Sequence, residues 1–309
     1  MQNISIIVPC YNEEETIKIF YNEVIKYLDN NHTFNIIFVN DGSKDKTLDI
    51  MKELSNVDNR VKYVSFSKNF GKEAAMYAGL ENAKALESDA AIIMDVDLQD
   101  PPSLIPSFLL EHEKGYNLIY AKQKNKKGAK ALKKFFAKMF YKFYTHFTHD
   151  SKMSDGSRDF CLLDKKVIDA FLSIKDKDRF TKGLYHFVGF KTTTIEFDYK
   201  ERVAGDTKWS FKKLLKYGLS GIEEFSTWLL LVPKLIGFIW FIIFIIDLVF
   251  QIINKVNYNY FDFSPIRIDL AVVSISIIGY YIIKLTYNVL DESRDRPIYI
   301  CEESNIETK

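Results

Sequence analysis

Two carboxylates that are separated by a single residue give the sequence its first chemical signal. Asp95 and Asp97 come directly after the apolar run Ala90–Met94 and before Leu98-Gln99-Asp100-Pro101-Pro102. Carboxylates that alternate around one backbone position can face a single hard cation, and Mg²⁺ or Mn²⁺ takes one or two of them while phosphate oxygens and water complete its shell. Such an ion neutralises a departing diphosphate. The alternative is that Asp97 caps the helix after Pro101-Pro102 and that Asp95 is only solvated.

The elements that position this pair alternate between strand and helix. Apolar runs rich in β-branched residues predict strands, and apolar residues at helical spacing predict the helices between them. In chain order the predicted elements are strand Ile4–Cys10, helix Glu13–Leu28, strand Phe34–Val39, helix Lys46–Leu54, strand Val61–Ser65, helix Glu73–Ala85 and strand Ala90–Met94. This order predicts an α/β fold with a mostly parallel, doubly wound sheet.

Polar clusters follow three of these strands at the point where each strand ends. They are Tyr11-Asn12-Glu13, Asn40-Asp41-Gly42-Ser43 and Asp95-Val96-Asp97. Ligands of such sheets bind beyond the carboxyl ends of the strands, so we expect the three clusters to converge on one edge.

Missing motifs exclude several other kinds of site. The sequence has no G-x-x-x-x-G-K-[ST] phosphate loop, no G-x-G-x-x-G turn and no G-x-S-x-G elbow. Three cysteines lie far apart and form neither a disulfide framework nor a metal quartet, which indicates a reducing compartment. His146 and His149 can share a helix face, and we interpret them as interfacial residues, with metal binding as the alternative.

The composition changes along the chain. Of 309 residues 47% are hydrophobic and the formal net charge is +1, which excludes wholesale disorder and gives no global signal for nucleic acid. Residues 1–228 are typical of a soluble α/β protein, whereas Leu229–Ile253 and Ile268–Ile283 are almost wholly apolar. Because about 20 apolar helical residues cross a bilayer, we predict transmembrane helices at 230–252 and 266–287. The alternative is a buried helical hairpin. Basic residues outside the two spans predict a cytoplasmic N-terminal domain and cytoplasmic termini.

Two further segments are predicted to touch the membrane surface. Between Glu113 and Asp150 the chain has ten lysines and no acidic residue, with aromatic residues interleaved from Leu132 onward. This composition is typical of an amphipathic helix on an anionic membrane, and RNA binding is the alternative. Residues 212–228 are predicted to form a second interfacial helix, and the last eight residues are expected to be a frayed tail.

Five segments together resemble a known family. IIVPCYNEEET, FVNDGSKDKT and MDVDLQDPP resemble the nucleotide-sugar motifs of family 2 glycosyltransferases, which have the GT-A fold. SRDFCLLDKKV and ERVAGDTKWSF resemble a narrower group, the polyprenyl-phosphate glycosyltransferases related to bactoprenol glucosyltransferases and dolichol-phosphate mannose synthase. The resemblance implies a cytoplasmic GT-A domain over 1–211, the interfacial helix over 212–228, two transmembrane helices within 229–290 and a cytoplasmic tail over 291–309.

The resemblance also implies roles for individual residues. Asp159 matches the catalytic carboxylate, and Arg202 and Lys208 match a basic pair that binds phosphates near the reacting centre. Asp95 and Asp97 would hold Mg²⁺ or Mn²⁺. The residues implied to bind the nucleotide sugar are Pro9, Tyr11, Asn12, Glu13, Asp41, Asp95 and Gln99. As alternatives, Asp159 is a structural partner of Arg158, and the basic pair is ordinary juxtamembrane charge.

The implied reaction is inverting transfer of a hexose, glucose before others, from a UDP-sugar to polyprenyl (undecaprenyl) phosphate, for modification of cell-envelope glycans. The alternatives are a GDP-mannose-dependent transferase, an enzyme that glycosylates diacylglycerol, and a non-catalytic membrane scaffold. The implied partners are the UDP-sugar, the polyprenyl phosphate and the bilayer, with a homo-tetramer and a flippase by resemblance. No nucleic acid is expected to bind.

Overall fold

The computed structural model describes residues 1–123, 157–174, 179, 181–198, 265–293 and 297–306, together with isolated positions between 239 and 257. They belong to two compact units, of which one comprises Met1–Gly221 with Pro297–Lys309 and the other Ile222–Arg296. The predicted interfacial helix, most of the first predicted span and the basic segment beyond Gln123 lie outside the described residues.

The first unit alternates strands and helices from its first residues. In chain order its elements are β1 (Gln2–Cys10), α1 (Ile17–Val24, continued by a 3₁₀ turn over Ile25–Tyr27), β2 (His32–Asn40), α2 (Thr47–Val57), β3 (Val61–Phe66), α3 (Lys72–Ala85), β4 (Ala90–Ile93), a 3₁₀ turn (Pro102–Leu104), α4 (Ile105–Glu113), β5 (Leu118–Gln123), β6 (Ser157–Asp164), α5 (Lys165–Ser173), α6 (Thr181–Phe187), β7 (Thr192–Phe197) and β8 (Cys301–Ser304). The seven elements predicted from the sequence are all present, with ends that differ by a few residues.

The eight strands form one mixed sheet in the order β7-β5-β6-β4-β1-β2-β3-β8. The pairs β1–β2, β1–β4, β2–β3 and β5–β7 are parallel. Strand β6 runs antiparallel to both of its neighbours, and β8 runs antiparallel to β3. The prediction of an α/β fold with a mostly parallel sheet is therefore confirmed.

Alternate residues of β1 face opposite layers of helices, as the period of a strand requires. Ile6 and Val8 belong to a core that also contains Phe20 of α1 and Phe108 of α4. On the other side, a Cβ at Gly79 of α3 would collide with the Ile7 side chain, so this helix lies very close to the sheet. Burial of apolar side chains on both faces explains why the central strands read as unbroken apolar runs.

The C-terminal segment is an edge strand, which corrects the expectation of a frayed tail. Strand β8 pairs with β3, and the Asn305 Oδ1 atom accepts a hydrogen bond from the Tyr63 amide at 2.7 Å. Glu303 adds a hydrogen bond from the Tyr63 hydroxyl and an ion pair with Lys52. The prediction failed because β8 has no apolar periodicity, and its stability comes from pairing with a strand that is distant in sequence.

The second unit contains a 29-residue helix, α7 (Pro265–Ser293). Several of its apolar side chains are exposed, among them Ile275, Ile283 and Val289. Among the described residues, no helix combines the length and the apolar character that crossing a membrane requires. The two predicted transmembrane helices therefore stay a prediction.

Candidate active site

The loops after β1 and β2 are tied together at the carboxyl edge of the sheet. The Asn12 amide donates to Ser43 Oγ at 2.9 Å, and Asn12 Oδ1 accepts from the Lys44 amide at 2.8 Å. The Glu13 amide donates to Thr47 Oγ1 at 2.8 Å. Asn12 has a φ of 53°, a conformation that asparagine tolerates better than most residues. Two of the three predicted polar clusters thus lie side by side.

Asp41 connects the loop after β2 to the turn that begins α3. Its carboxylate accepts hydrogen bonds from the amides of Phe70 (2.6 Å) and Gly71 (3.0 Å) and from the Asn69 side chain (2.9 Å). Burial raises the pKa of Asp41 to about 6, and the two backbone amides limit the shift. The structure shows this carboxylate as an anchor for the turn, and its implied role in binding the nucleotide sugar stays a prediction.

Gly42 allows the two loops to approach each other this closely. Its φ is +64°, and a Cβ on it would collide with the backbone of Lys68 and Asn69. A side chain at this position would push the turn that Asp41 anchors away from β2.

Lys72 joins two of the predicted site residues. Its Nζ atom lies 2.6 Å from Asp95 Oδ1 and 2.8 Å from Asp159 Oδ2. Desolvation lowers the pKa of Lys72, but the charges of Asp159 and Asp95 outweigh this effect and hold the pKa above its ordinary value. The ammonium group is therefore protonated at neutral pH and balances part of the negative charge of the site.

Asp159 reaches this edge because β6 is antiparallel to β4. Ile93, the last residue of β4, is paired with Cys161, so the start of β6 lies at the carboxyl end of β4. The Cys161 thiol beside it is fully buried within 3.2 Å of the Tyr185 hydroxyl, and burial raises its pKa. This thiol stays protonated and is no nucleophile. The Arg158 side chain, the alternative partner of Asp159, lies outside the described residues.

The loop after β4 is strained and holds Asp97 in a local turn. Leu98 has a φ of 56°, and Asp97 Oδ1 accepts a hydrogen bond from the Gln99 amide at 3.0 Å. The 3₁₀ turn and α4 follow this loop, and their N-cap residues, Pro101 and Leu104, make no side-chain cap bond. Non-glycine residues at positive φ often lie at functional sites.

The donor set of Asp95 and Asp97 fits a hard divalent cation. Both side chains supply only carboxylate oxygens, which Mg²⁺ and Mn²⁺ prefer. The described residues contain no group of three or more His, Cys, Asp or Glu side chains that could hold an ion. Any ion held here would therefore take further ligands from outside these two side chains, and phosphate oxygens and water are suited to that.

The other predicted residues have different outcomes. Pro9 is in β1 opposite Val39, and Tyr11 and Gln99 are partly exposed in the loops at the carboxyl edge. Glu13 Oε2 accepts a hydrogen bond from Thr16 Oγ1 at 2.7 Å. Arg202 and Lys208 lie outside the described residues, as do His146 and His149. The roles of all these residues stay predictions.

Sequence reasoning missed Lys72. One signal was available in the sequence. Carboxylates from separate segments were expected at one edge of the sheet, and Lys72 lies at the start of the helix that follows β3. Closely spaced carboxylates repel each other unless a cation lies between them, and the structure shows that Lys72 is such a cation.

Comparison with known proteins assigns the chain to a family. Residues 5–172 match the family model described as glycosyl transferase family 2. The protein named SfII prophage-derived bactoprenol glucosyl transferase, from Shigella flexneri, is 33% identical, and the match covers 98% of each chain. The Escherichia coli K12 protein named prophage bactoprenol glucosyl transferase homolog is 38% identical over 76% of each chain.

A solved structure is also similar, at a lower level. Glucosyl-3-phosphoglycerate synthase from Mycobacterium tuberculosis, crystallised with Mn²⁺ and UDP-glucose, matches 71% of this chain and 76% of its own, with 15% identity and a TM-score of 0.47. Likeness at this level says nothing about the ligands of the present chain. The match to the family model and the full-length similarity to the Shigella protein show that the chain belongs to glycosyl transferase family 2.

Proposed function

We propose that this glycosyltransferase moves a hexose, most simply glucose, from a UDP-sugar to polyprenyl phosphate. The observation that carries the proposal is the joining of Asp95 and Asp159 through Lys72 at the carboxyl edge of the sheet. One carboxylate belongs to the predicted metal and diphosphate position and the other to the predicted catalytic position. Relatives named bactoprenol glucosyl transferases support both the glucose and the lipid acceptor.

The donor is proposed to lie across the loops after β1, β2 and β4. Tyr11 offers a ring face to the base, and Glu13 offers carboxylate oxygens to the ribose hydroxyls. Asp95 and Asp97 would hold Mg²⁺ or Mn²⁺ against the diphosphate, and the metal would supply charge neutralisation as the nucleoside diphosphate leaves. Asp41, Asn12, Pro9 and Gln99 complete the proposed donor pocket.

The acceptor is proposed to attack the anomeric carbon through a phosphate oxygen. A phosphate monoester has its second pKa near 6, so the attacking oxygen needs little deprotonation at neutral pH. Asp159 is therefore proposed to orient the acceptor and to stabilise positive charge developing on the sugar, more than to act as a base. The larger barrier is the approach of two anions, which cations lower. Arg202 and Lys208 are proposed to contribute there, and an α-linked donor would give a β-linked product.

The chain is further proposed to act at a membrane, since a polyprenyl acceptor resides in one. The proposed spans are 230–252 and 266–287. The first unit (Met1–Gly221 with Pro297–Lys309), which contains the candidate active site and is called the catalytic unit, is proposed to lie in the cytoplasm with both termini. Exposed apolar side chains along α7 support contact with lipid. The basic segment up to Asp150 and residues 212–228 are proposed to lie on the anionic surface. The protein is also proposed to form a homo-tetramer and to interact with a flippase.

A transfer assay with several donors tests this function. Full-length protein in membranes receives undecaprenyl phosphate, Mg²⁺ or Mn²⁺, and labelled UDP-glucose, UDP-N-acetylglucosamine, UDP-galactose or GDP-mannose. We expect label in the organic phase from UDP-glucose, and none without lipid or with Asp159→Asn. Transfer from GDP-mannose alone would replace the donor, and transfer to diacylglycerol alone would replace the acceptor. A folded protein that moves no label from any donor would contradict the proposal.

A further inference from the structure

Lys72 links two carboxylates to which the proposed function gives different tasks. Asp95 belongs to the position that receives metal and diphosphate, whereas Asp159 faces the reacting centre. The ammonium group contacts both at once, at 2.6 Å and 2.8 Å. Without a cation between them, two carboxylates this close to one point would repel each other.

The position of this lysine is fixed from both sides. Before it, Asp41 accepts hydrogen bonds from the amides of Phe70 and Gly71, and Gly71 has a φ of +99° that turns the chain into α3. After it, the small residues of α3 rest directly on the sheet, where Gly79 leaves no room for a Cβ against Ile7. The backbone of Lys72 therefore has little freedom, and its side chain is directed into the site by the fold.

We propose that Lys72 is an internal counter-cation of the donor site, which holds Asp95 while the site is empty and keeps Asp159 oriented during transfer. This inference rests on the proposed function. In the free protein the ammonium balances both carboxylates. When a divalent cation is bound by Asp95, the ammonium keeps its hydrogen bond to Asp159 and gives up the one to Asp95. Lys72 is thus a positioning residue that acts through Asp159.

Competition for Asp95 has a measurable consequence. The ammonium and a divalent cation carry charges of the same sign and need the same carboxylate, so Lys72 weakens metal binding to the nucleotide-free protein. A bound nucleoside diphosphate brings negative charge that relieves this repulsion. Metal and nucleotide should therefore bind with positive coupling, and a protein without the ammonium should lose part of that coupling.

Titration of Mn²⁺ into the full-length protein in detergent, followed by the electron paramagnetic resonance signal of free Mn²⁺, tests the inference without any transfer. We expect Lys72→Met to bind Mn²⁺ about tenfold more tightly than the wild type in the absence of nucleotide. The gain should shrink when UDP is present. Lys72→Gln, which keeps a polar side chain without the charge, should show the same change and serves if the methionine variant folds poorly. Lys84→Met is the matched control, since Lys84 lies on the same helix and pairs with the exposed Asp169.

Turnover supplies the second measurement. At saturating Mn²⁺ and donor, Lys72→Met should lower kcat at least tenfold while the KM for donor changes less than about threefold, because the hydrogen bond that orients Asp159 from Lys72 is lost. Lys72→Arg should recover part of kcat, since it restores the charge. Equal Mn²⁺ affinities in the wild type and both uncharged variants, or no Mn²⁺ binding by any of them, would overturn the inference. If the uncharged Lys72 variants bind Mn²⁺ more tightly but the wild type transfers no sugar, the proposed function would be overturned. The role of Lys72 at Asp95 would then still stand.

Discussion

Tyr299 should hold the C-terminal strand to the catalytic unit, and its contacts allow the size of that effect to be worked out. Its ring stacks on Phe66 with centroids 4.7 Å apart, and its hydroxyl donates to Glu81 at 2.9 Å. Next to it the Ile300 carbonyl accepts from the Ser67 amide at 3.2 Å. Phe66 in turn meets the edge of Phe70, whose amide is bonded to Asp41. The segment thus supports the turn that leads to Lys72.

Two substitutions separate the hydroxyl from the ring. Tyr299→Phe removes one hydrogen bond, which contributes about 1 kcal/mol at a partly exposed position. Tyr299→Ala also removes the stacked ring, for a further loss of about 2 kcal/mol from burial and aromatic packing. For a unit of roughly 200 residues each kcal/mol lowers Tm by about 2–4 °C. We therefore expect a decrease of about 3 °C for Tyr299→Phe and about 9 °C for Tyr299→Ala.

The buried thiols of the catalytic unit provide the assay. Cys10 and Cys161 are 2% and 0% exposed, so a thiol-reactive fluorophore reports their release as this unit unfolds. Cys301 is exposed and is replaced by serine in every variant to remove its background. Ile300→Ala, at a 53% exposed neighbour, is the control and should change Tm by less than 2 °C. A Tyr299→Ala protein that melts with the wild type would refute the reasoning.

Three further predictions concern the site itself. Asp97→Ala should abolish metal-dependent transfer. If this variant stays active after chelation of the metal, Asp97 does not hold the metal. Asp159→Asn should bind nucleotide normally while turnover falls at least about a hundredfold, as loss of charge at a reacting centre implies; normal turnover would return Asp159 to a structural role. Because burial raises the folded-state pKa of Asp41 to about 6, the native state binds more protons than the unfolded state between about pH 4 and pH 6. Its contribution to the free energy of unfolding should therefore fall by up to about 3 kcal/mol as pH rises through that window, and unfolding curves of Asp41→Asn that keep the full wild-type pH dependence would contradict the assignment.

The elements predicted best are those whose signal lies in the local sequence. Strands β1 to β4 are buried on both faces, so their apolar runs identify them without knowledge of their neighbours. The order of strands and helices then brings the loops after β1 and β2 to one edge, and the hydrogen bond from the Asn12 amide to Ser43 Oγ confirms that these loops meet.

The parts that escaped prediction depend on contacts between distant residues. Strand β8 is polar and mostly exposed, and only its pairing with β3 makes it a strand. Because β8 belongs to the catalytic unit, removal of residues 229–309 would expose the edge of β3, so a shortened protein should keep residues 297–309. The position of Asp159 depends on the antiparallel pairing of β6, and the role of Lys72 depends on carboxylates from two other elements.

The most direct test of the central claim is the structure of the product. Wild-type protein in membranes is given UDP-glucose and undecaprenyl phosphate, and the lipid product is purified and examined by mass spectrometry and by nuclear magnetic resonance of the anomeric carbon. We predict a β-linked glucosyl phosphate on the polyprenyl chain, with one UDP released for each lipid formed. Glucose that is found free in solution, or on a lipid hydroxyl with no phosphate between them, would contradict the account.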